Sequence, residues 1–434
     1  MTHKKVRFVA PVRAQPTLEV FDAEDWLADD HPARLVWAFV EMLDLTEFYD
    51  LIEAVEGGAG RPASDPRVLL ALWLLAILDG IGSARALERR VASDLAYRWL
   101  AGGVPVNYHT LSDFRRSHTA RLETLMCRSL AALIAEGLVT LDEVLVDGTK
   151  VKVAAGRKSY RTRDGLERHE RRVRERITVL GQELDDAPEQ ASKRRRAARE
   201  RAARERLQRI EQARAALDKA DAERARRAKR ASRKEKEKAA RKPPEASTTD
   251  GQARKMRFAS GAIAPGYNVQ LATTPDGFIL APLASDKRSD AGLLAVMVAR
   301  VAALTGLAPK RVLADASYAV ADDIVALAGR AIDPVEIYAS PRPEKADMRP
   351  ENVRRRARRR AQEPDAIKAW RARMASEAGQ AIYKKRKRIE TTNAHLHNRN
   401  IGPLRVIGQA TVQAVTYLHA LAHNLANAAR LRAA

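Results

Sequence analysis

Cysteine is almost missing from this sequence. Cys127 is the one cysteine in 434 residues. That excludes a disulfide framework and any multi-cysteine zinc site, and it fits a reducing cytosol. Long apolar runs are missing too. The longest, residues 68–78, has 11 residues, against about 20 for a membrane-spanning helix, so it reads as a core helix and no membrane partner is expected. The N-terminus is basic with no apolar segment behind it, so no signal peptide is expected. An acidic balance is also lacking.

The formal charge is +23, and it is concentrated. Residues 191–242 hold 22 Lys/Arg against 8 Asp/Glu, and residues 353–390 hold 14 against 4. The rest of the chain is close to neutral. Two basic zones on a neutral body point to a polyanionic partner, with nucleic acid the first choice. The alternative is that these helices are solvated faces, but a solvated helix usually mixes its charges. A chain of this length has room for two or three domains.

Residues 1–23 read as an arm. From about 24 to 140 the pattern is helical. Residues 32–40 open one amphipathic helix. Asp65 caps the next, with Pro66 at its first position, and a further helix is expected over 83–100. Residues 107–118 start another, with Thr110 as the expected cap and Asp113 three residues on. It carries Arg115 and Arg116 on its early turns. Those arginines are either DNA contacts or ordinary surface residues; no helix-turn-helix can be identified from the pattern.

Residues 143–153 read as a β-strand covered on both faces, with Asp147 in its middle. A buried carboxylate is costly unless its charge is compensated. Either Asp147 serves a bound cation, or it caps an Asp-Gly turn. Residues 156–245 then turn strongly polar and rich in Arg and Ala, both good helix formers. This stretch reads as a basic insertion, a helical hairpin or partly disordered, with Pro188 between its two helices.

Order returns at 264–272. A turn at Pro275, Asp276 and Gly277 leads to a second apolar strand, a strong hairpin signal. Ser289 and Asp290 are expected to cap a helix carrying Leu293, Leu294, Met297 and Val301. A short strand ending at Asp315, a helix over 321–329 and a strand over 335–338 follow. This alternation describes an α/β sheet with helices packed on it. A last helix, 411–430, carries a core stripe through Val415, Leu418, Leu421 and Leu425.

Two strands therefore carry an aspartate at or near their ends, Asp147 and Asp315, where open α/β sheets bind ligands. A third acid, Glu390, shares a helix face with Tyr383 and Arg386 at spacings of three and four. His397 joins that face if the helix continues. Glu390 follows five consecutive basic residues, Lys385 among them. Three carboxylates around two Mg²⁺ or Mn²⁺ ions are a recurring device for in-line displacement at phosphorus. Asp142, Glu143, Asp322, Asp323 and Glu377 compete for these roles but sit in capping or off-motif contexts.

With these residues the chain resembles a bacterial insertion-sequence transposase of the DDE superfamily. The resemblance is carried by the stretch around Asp147, the 264–272 strand, residues 312–318 around Asp315, and Tyr383, Arg386 and Glu390. The last three match a Y-x2-R-x3-E-x6-K signature, with His397 standing at the lysine position. The resemblance implies an α/β, RNase-H-like mixed sheet flanked by helices. It implies a catalytic domain over 141–155 and 246–405, preceded by the helical 24–140 region for DNA binding or dimerisation. The 156–245 insertion and a C-terminal helix at 406–434 complete it. It implies two Mg²⁺ or Mn²⁺ ions held by Asp147, Asp315 and Glu390, with Tyr383, Lys385, Arg386, His397, Arg115 and Arg116 toward DNA. It also implies recognition of terminal inverted repeats, cleavage there, strand transfer into target double-stranded DNA, and a homodimer or larger synaptic complex at work in the bacterial cytoplasm with the nucleoid. The alternatives are a decayed product that only binds DNA, and a plain RNase-H-like nuclease.

Overall fold

The structure is a computed structural model and describes residues 22–54, 62–185, 190–229, 237, 243–341 and 350–433. The arm expected over 1–23, apart from its last two residues, lies outside the described residues, as does Pro188.

The N-terminal part is helical: α1 (Pro32–Glu41), α2 (Thr46–Tyr49), α3 (Pro66–Leu78), α4 (Ala84–Ser93), α5 (Leu95–Ala101), α6 (Tyr108–Ser117) and α7 (Thr119–Ala135). Asp65 caps α3 as expected, accepting from the Arg67 amide at 2.8 Å. The apolar α3 is buried over most of its length. Two details differ from the sequence reading. The helix expected over 83–100 is broken at Asp94, whose extended backbone ends α4 and whose carboxylate caps α5. The cap of α6 is Asn107, not Thr110; its side chain accepts from the Thr110 amide at 2.9 Å.

A six-stranded mixed sheet follows. Strand β5 (Ile263–Thr273) pairs antiparallel with β1 (Glu143–Lys152) on one side. Its other side pairs first with β4 (Arg254–Arg257), then with β6 (Ile279–Ser285). On the far side of β1 lie β7 (Arg311–Ala314) and β8 (Glu336–Ala339), both parallel to it in sequence. The parallel pairs need crossovers, supplied by α10 (Leu294–Thr305) and α11 (Ala321–Ala328).

Between β1 and β4 the chain leaves the sheet. A two-stranded ribbon, β2 (Tyr160–Arg161) and β3 (Ala246–Ser247), forms the base of α8 (Arg163–Asp185) and α9 (Gln190–Ala228). These helices pack through Leu166, Val173, Ile210 and Leu217. Of the two readings of 156–245, the described residues take the helical hairpin. Its core is separate and small, and ion pairs add to it: Glu170 meets both Arg174 and Arg214, and Arg163 meets Asp218 and Asp221.

After β8 come α12 (Pro350–Ala361), α13 (Asp365–Ala375), α14 (Glu377–Lys384), a 3₁₀ turn (Lys385–Lys387), α15 (Arg388–Asn398) and α16 (Gln409–Arg432). The expected stripe of α16 is core, together with Tyr417 and Ala414. Its polar side chains cover the free edge of β6. Asn424 accepts from the Ile279 amide and donates to the Ile279 carbonyl, both at 2.8 Å. Gln413 accepts from the Ala284 amide at 2.7 Å. A sheet edge left unpaired would carry open backbone groups, and side-chain amides here replace the missing strand.

Candidate active site

The register of β1 and β7 decides where two of the acids fall. Val146 opposite Ala314 is the last rung of their parallel pairing. Asp147 and Asp315 are the next residues on each chain, on strands about 4.8 Å apart. β7 stops there, while β1 continues against β5. The two residues thus stand side by side at the carboxyl end of the parallel pair, near enough for the charge of Asp315 to act on Asp147.

Asp147 is mostly buried. Its carboxyl is held up at about 6: burial raises it most, the Gly148 amide pulls it down, the charges of Asp315 and Asp290 raise it, and the Arg386 guanidinium opposes them. Its Oδ1 accepts from the Gly148 amide at 2.8 Å, and its Oδ2 from Asn393 Nδ2 at 2.9 Å. Asp315 Oδ1 accepts from the Ser317 amide at 2.6 Å, which turns the chain out of β7.

A third carboxylate close by is Asp290, expected to be a helix cap. Leu293 is the residue before α10, and the Leu294 amide donates instead to Asp323 at 3.2 Å. Asp290 faces the sheet. Its Oδ1 accepts from Asn268 Nδ2 at 2.8 Å and Gln270 Nε2 at 2.9 Å, and its Oδ2 from Ser317 Oγ at 3.1 Å. The Tyr318 hydroxyl donates to Gln270. This network joins β5 to the turn after Asp315. It also explains Gly148. The strand runs straight through Asp147 and Gly148, so the Asp-Gly turn, one of the two readings of Asp147, is not there. A Cβ on Gly148 would stand 2.5 Å from Asp290 Oδ1, so glycine is needed for close approach.

Glu390 lies at the surface of the same region. Its side chain is 61% exposed and pairs with Arg386 at 3.5 Å. Arg386, only 20% exposed, lies 6.0 Å from the Tyr383 ring centroid. Tyr383, Arg386 and Glu390 do share one face, although the 3₁₀ turn interrupts their helix. Among the described residues no three His, Cys, Asp or Glu side chains are arranged to hold a metal ion. The donor chemistry of Asp147 and Asp315 suits a hard cation, which would offset the burial and the neighbouring acid charges that raise the Asp147 carboxyl.

The remaining predicted residues are placed as follows. Lys385 is engaged in an ion pair with Glu143 at 2.8 Å. His397 Nε2 lies 2.7 Å from Thr149 Oγ1, and burial lowers its pKa, which favours a neutral tether over a cationic phosphate grip. Arg116 is exposed and pairs with Asp113 at 3.6 Å. Arg115 is the correction. It is 5% exposed, donates to the Gly82 carbonyl at 3.0 Å and covers the Trp73 ring at 4.4 Å. A guanidinium shut between α3 and α6 cannot reach a DNA backbone.

Comparison with known families bears on the acids. Residues 21–117 match the model described as Transposase domain (DUF772), and residues 247–425 match that described as Transposase DDE domain. The chain belongs to the DDE transposases of insertion sequences. The DDE match contains Asp315 and Glu390, and Asp147 lies between the two matched segments. No curated protein and no solved structure matches the chain. No helix among the described residues is long and apolar enough to cross a membrane. The residues that sequence reasoning missed in this transposase are Asp290, Asn393 and the Asn268–Gln270 pair. Asn393 had a signal: it stands three after Glu390 and four before His397, on their helix face.

Proposed function

We propose that this transposase cleaves DNA at the ends of an insertion sequence and transfers the strands into target DNA, by metal-dependent phosphoryl transfer at Asp147, Asp315 and Glu390. The observation that carries the reading is the register that brings Asp147 and Asp315 together beside the last rung of β1 and β7, with family membership behind it. The catalytic unit is an RNase-H-like sheet, residues 141–155 and 246–405, and a mixed sheet with helices supports it. The helical 24–140 region serves DNA binding or dimerisation, 156–245 is an insertion, and the C-terminal helix over 406–434 braces the sheet. Inverted-repeat ends and target duplex are the partners, and the working unit is a homodimer or larger synaptic complex, in the bacterial cytoplasm with the nucleoid.

Asp147 and Asp315 would hold Mg²⁺ or Mn²⁺, and Glu390 would join on leaving Arg386. Two such ions supply charge neutralisation at phosphorus and an activated water or 3′-hydroxyl. The chain's own part is positioning. The Gly148 amide fixes the Asp147 carboxylate, and the Ser317 amide fixes Asp315. Arg386, between Asp147 and Glu390, balances their charge before substrate arrives and is then free for phosphate. Lys385 and His397 tie the helix to β1.

A second reading is a DNA-binding product without catalysis. It is favoured by the pairing of Glu390 with Arg386 and by the lack, among the described residues, of three acidic, His or Cys side chains arranged to hold a metal ion. Cleavage of end-bearing DNA with Mg²⁺ separates the two. We expect Asp147→Ala, Asp315→Ala and Glu390→Ala each to abolish cleavage and strand transfer while binding stays within a few-fold. Wild-type protein that binds ends without ever cutting them would establish the second reading.

A further inference from the structure

The 3₁₀ turn and helix α15 together lie along β1 in matched register. Lys385 reaches Glu143, Asn393 reaches Asp147 and His397 reaches Thr149. From Asn393 to His397 the helix advances about 6 Å at 1.5 Å per residue. From Asp147 to Thr149 the strand advances about 6.6 Å. From Lys385 to Asn393 the advance is about 13.5 Å, with the wider rise of the 3₁₀ turn included, against about 13 Å from Glu143 to Asp147. The rungs thus keep step over three points. Ile389, between the first two, is fully buried. Within this ladder Asn393 is the one rung that ends on a proposed metal ligand.

Its bonding is also incomplete. When ionised, Asp147 Oδ2 can only accept, so the amide presents Nδ2 to it. Asn393 Oδ1 then points away, and it is a buried atom with no hydrogen-bond partner among the described residues. An orphaned carbonyl acceptor beside a carboxylate is costly in a sealed structure. A hydrated cation held at Asp147 would supply a donor for it through a bound water.

We infer that Asn393 is a positioning residue of the phosphoryl-transfer site. It locks the Asp147 carboxylate by donating to Oδ2, and it offers Oδ1 to water on a cation held there. This rests on the metal reading of Asp147 proposed above. Outer partners of metal ligands typically carry about 10–100-fold in metal affinity.

The test is Mn²⁺ binding to the full-length protein, followed by electron paramagnetic resonance or titration calorimetry, with thermal melting as a folding check. Asn393→Ala is expected to weaken Mn²⁺ binding about tenfold or more and to lower kcat, with end-DNA binding within a few-fold. Asn393→Leu, close in volume, gives the same answer if the alanine variant melts early. His397→Gln, which disturbs the neighbouring rung, is expected to lower the melting temperature with Mn²⁺ affinity within a factor of about two. Asp147→Asn is the reference. If it abolishes Mn²⁺ binding while both Asn393 variants bind like wild type, the inference about Asn393 is overturned and the metal reading stands. If Asp147→Asn binds Mn²⁺ like wild type, the metal reading itself fails.

Discussion

The Oδ1 atom of Asp290 lies 2.5 Å from the point where a Cβ on Gly148 would stand. One atom of side chain is therefore the difference between a strand that accommodates the Asn268–Gln270–Asp290 network and one that collides with it. The network runs on to Ser317 and Tyr318. A change at position 148 would thus be felt at Asp315, on another strand.

Gly148→Ala is expected to destabilise the protein by about 1–3 kcal/mol, the usual range for overpacking. It should lower cleavage by more than that loss alone explains, because Asp147 and the turn after Asp315 move together. Melting and single-turnover cleavage check it. A variant with wild-type melting and wild-type cleavage would mean that the network yields freely.

Asp147 makes stability depend on pH. Its carboxyl is raised from 3.8 to about 6 in the folded state. The folded protein thus holds that proton more tightly than the unfolded chain. The associated stability is complete below about pH 4 and is lost as pH rises through 6. At pH 8 without metal the ionised group costs up to roughly 3 kcal/mol. Asp147→Asn is therefore expected to raise the melting temperature of metal-free protein at pH 8, with a smaller gain at pH 5. Added Mg²⁺ should stabilise the wild type and not the variant. A lower melting temperature for the variant at pH 8 would contradict this account.

Arg115 and Arg116 are neighbours with opposite expectations. Arg115→Ala removes a buried guanidinium stacked on Trp73 and is expected to cost about 3 kcal/mol through lost packing. The salt dependence of DNA binding should not change. Arg116→Ala should cost little stability, and a phosphate contact there would reduce the salt slope by about 1. Unfolding curves with binding measured at several salt concentrations separate them. A changed slope for Arg115→Ala would put that residue back on the DNA side.

The α8–α9 hairpin meets the body of the protein at Gly251. A Cβ there would come within 2.6 Å of the Ala213 backbone nitrogen. Lys219 and Arg254 both pair with Asp286 nearby. Gly251→Ala is expected to loosen the hairpin base, seen as faster proteolysis in residues 163–228 than in the sheet. Equal cleavage rates in wild type and variant would show that this contact is not what docks the hairpin.

The apolar strands were legible in the sequence because their runs are dense and their aspartates conspicuous; β4, with three of its four residues basic, was not. Residues 143–153, the 264–272 strand and Asp315 stand out by pattern alone. The α15 face was legible through the spacing of Tyr383, Arg386 and Glu390. Asp290 was not, because Ser-Asp before an apolar stripe reads as a cap. Only the sheet order shows that Asn268, Gln270 and Ser317 surround it. Arg115 misled for a related reason. An arginine on an amphipathic helix reads as surface, and nothing local announces that Trp73, 42 positions earlier, closes over it. The engagement of Lys385 with Glu143 and of His397 with Thr149 is likewise a matter of register between distant segments.

The most direct measurement is the anomalous scattering of Mn²⁺ in crystals of the protein bound to an element end. The account predicts density touching the Asp147 and Asp315 carboxylates, with Glu390 turned from Arg386 toward it. Mn²⁺ absent from those two aspartates in a complex that cleaves its DNA would contradict it.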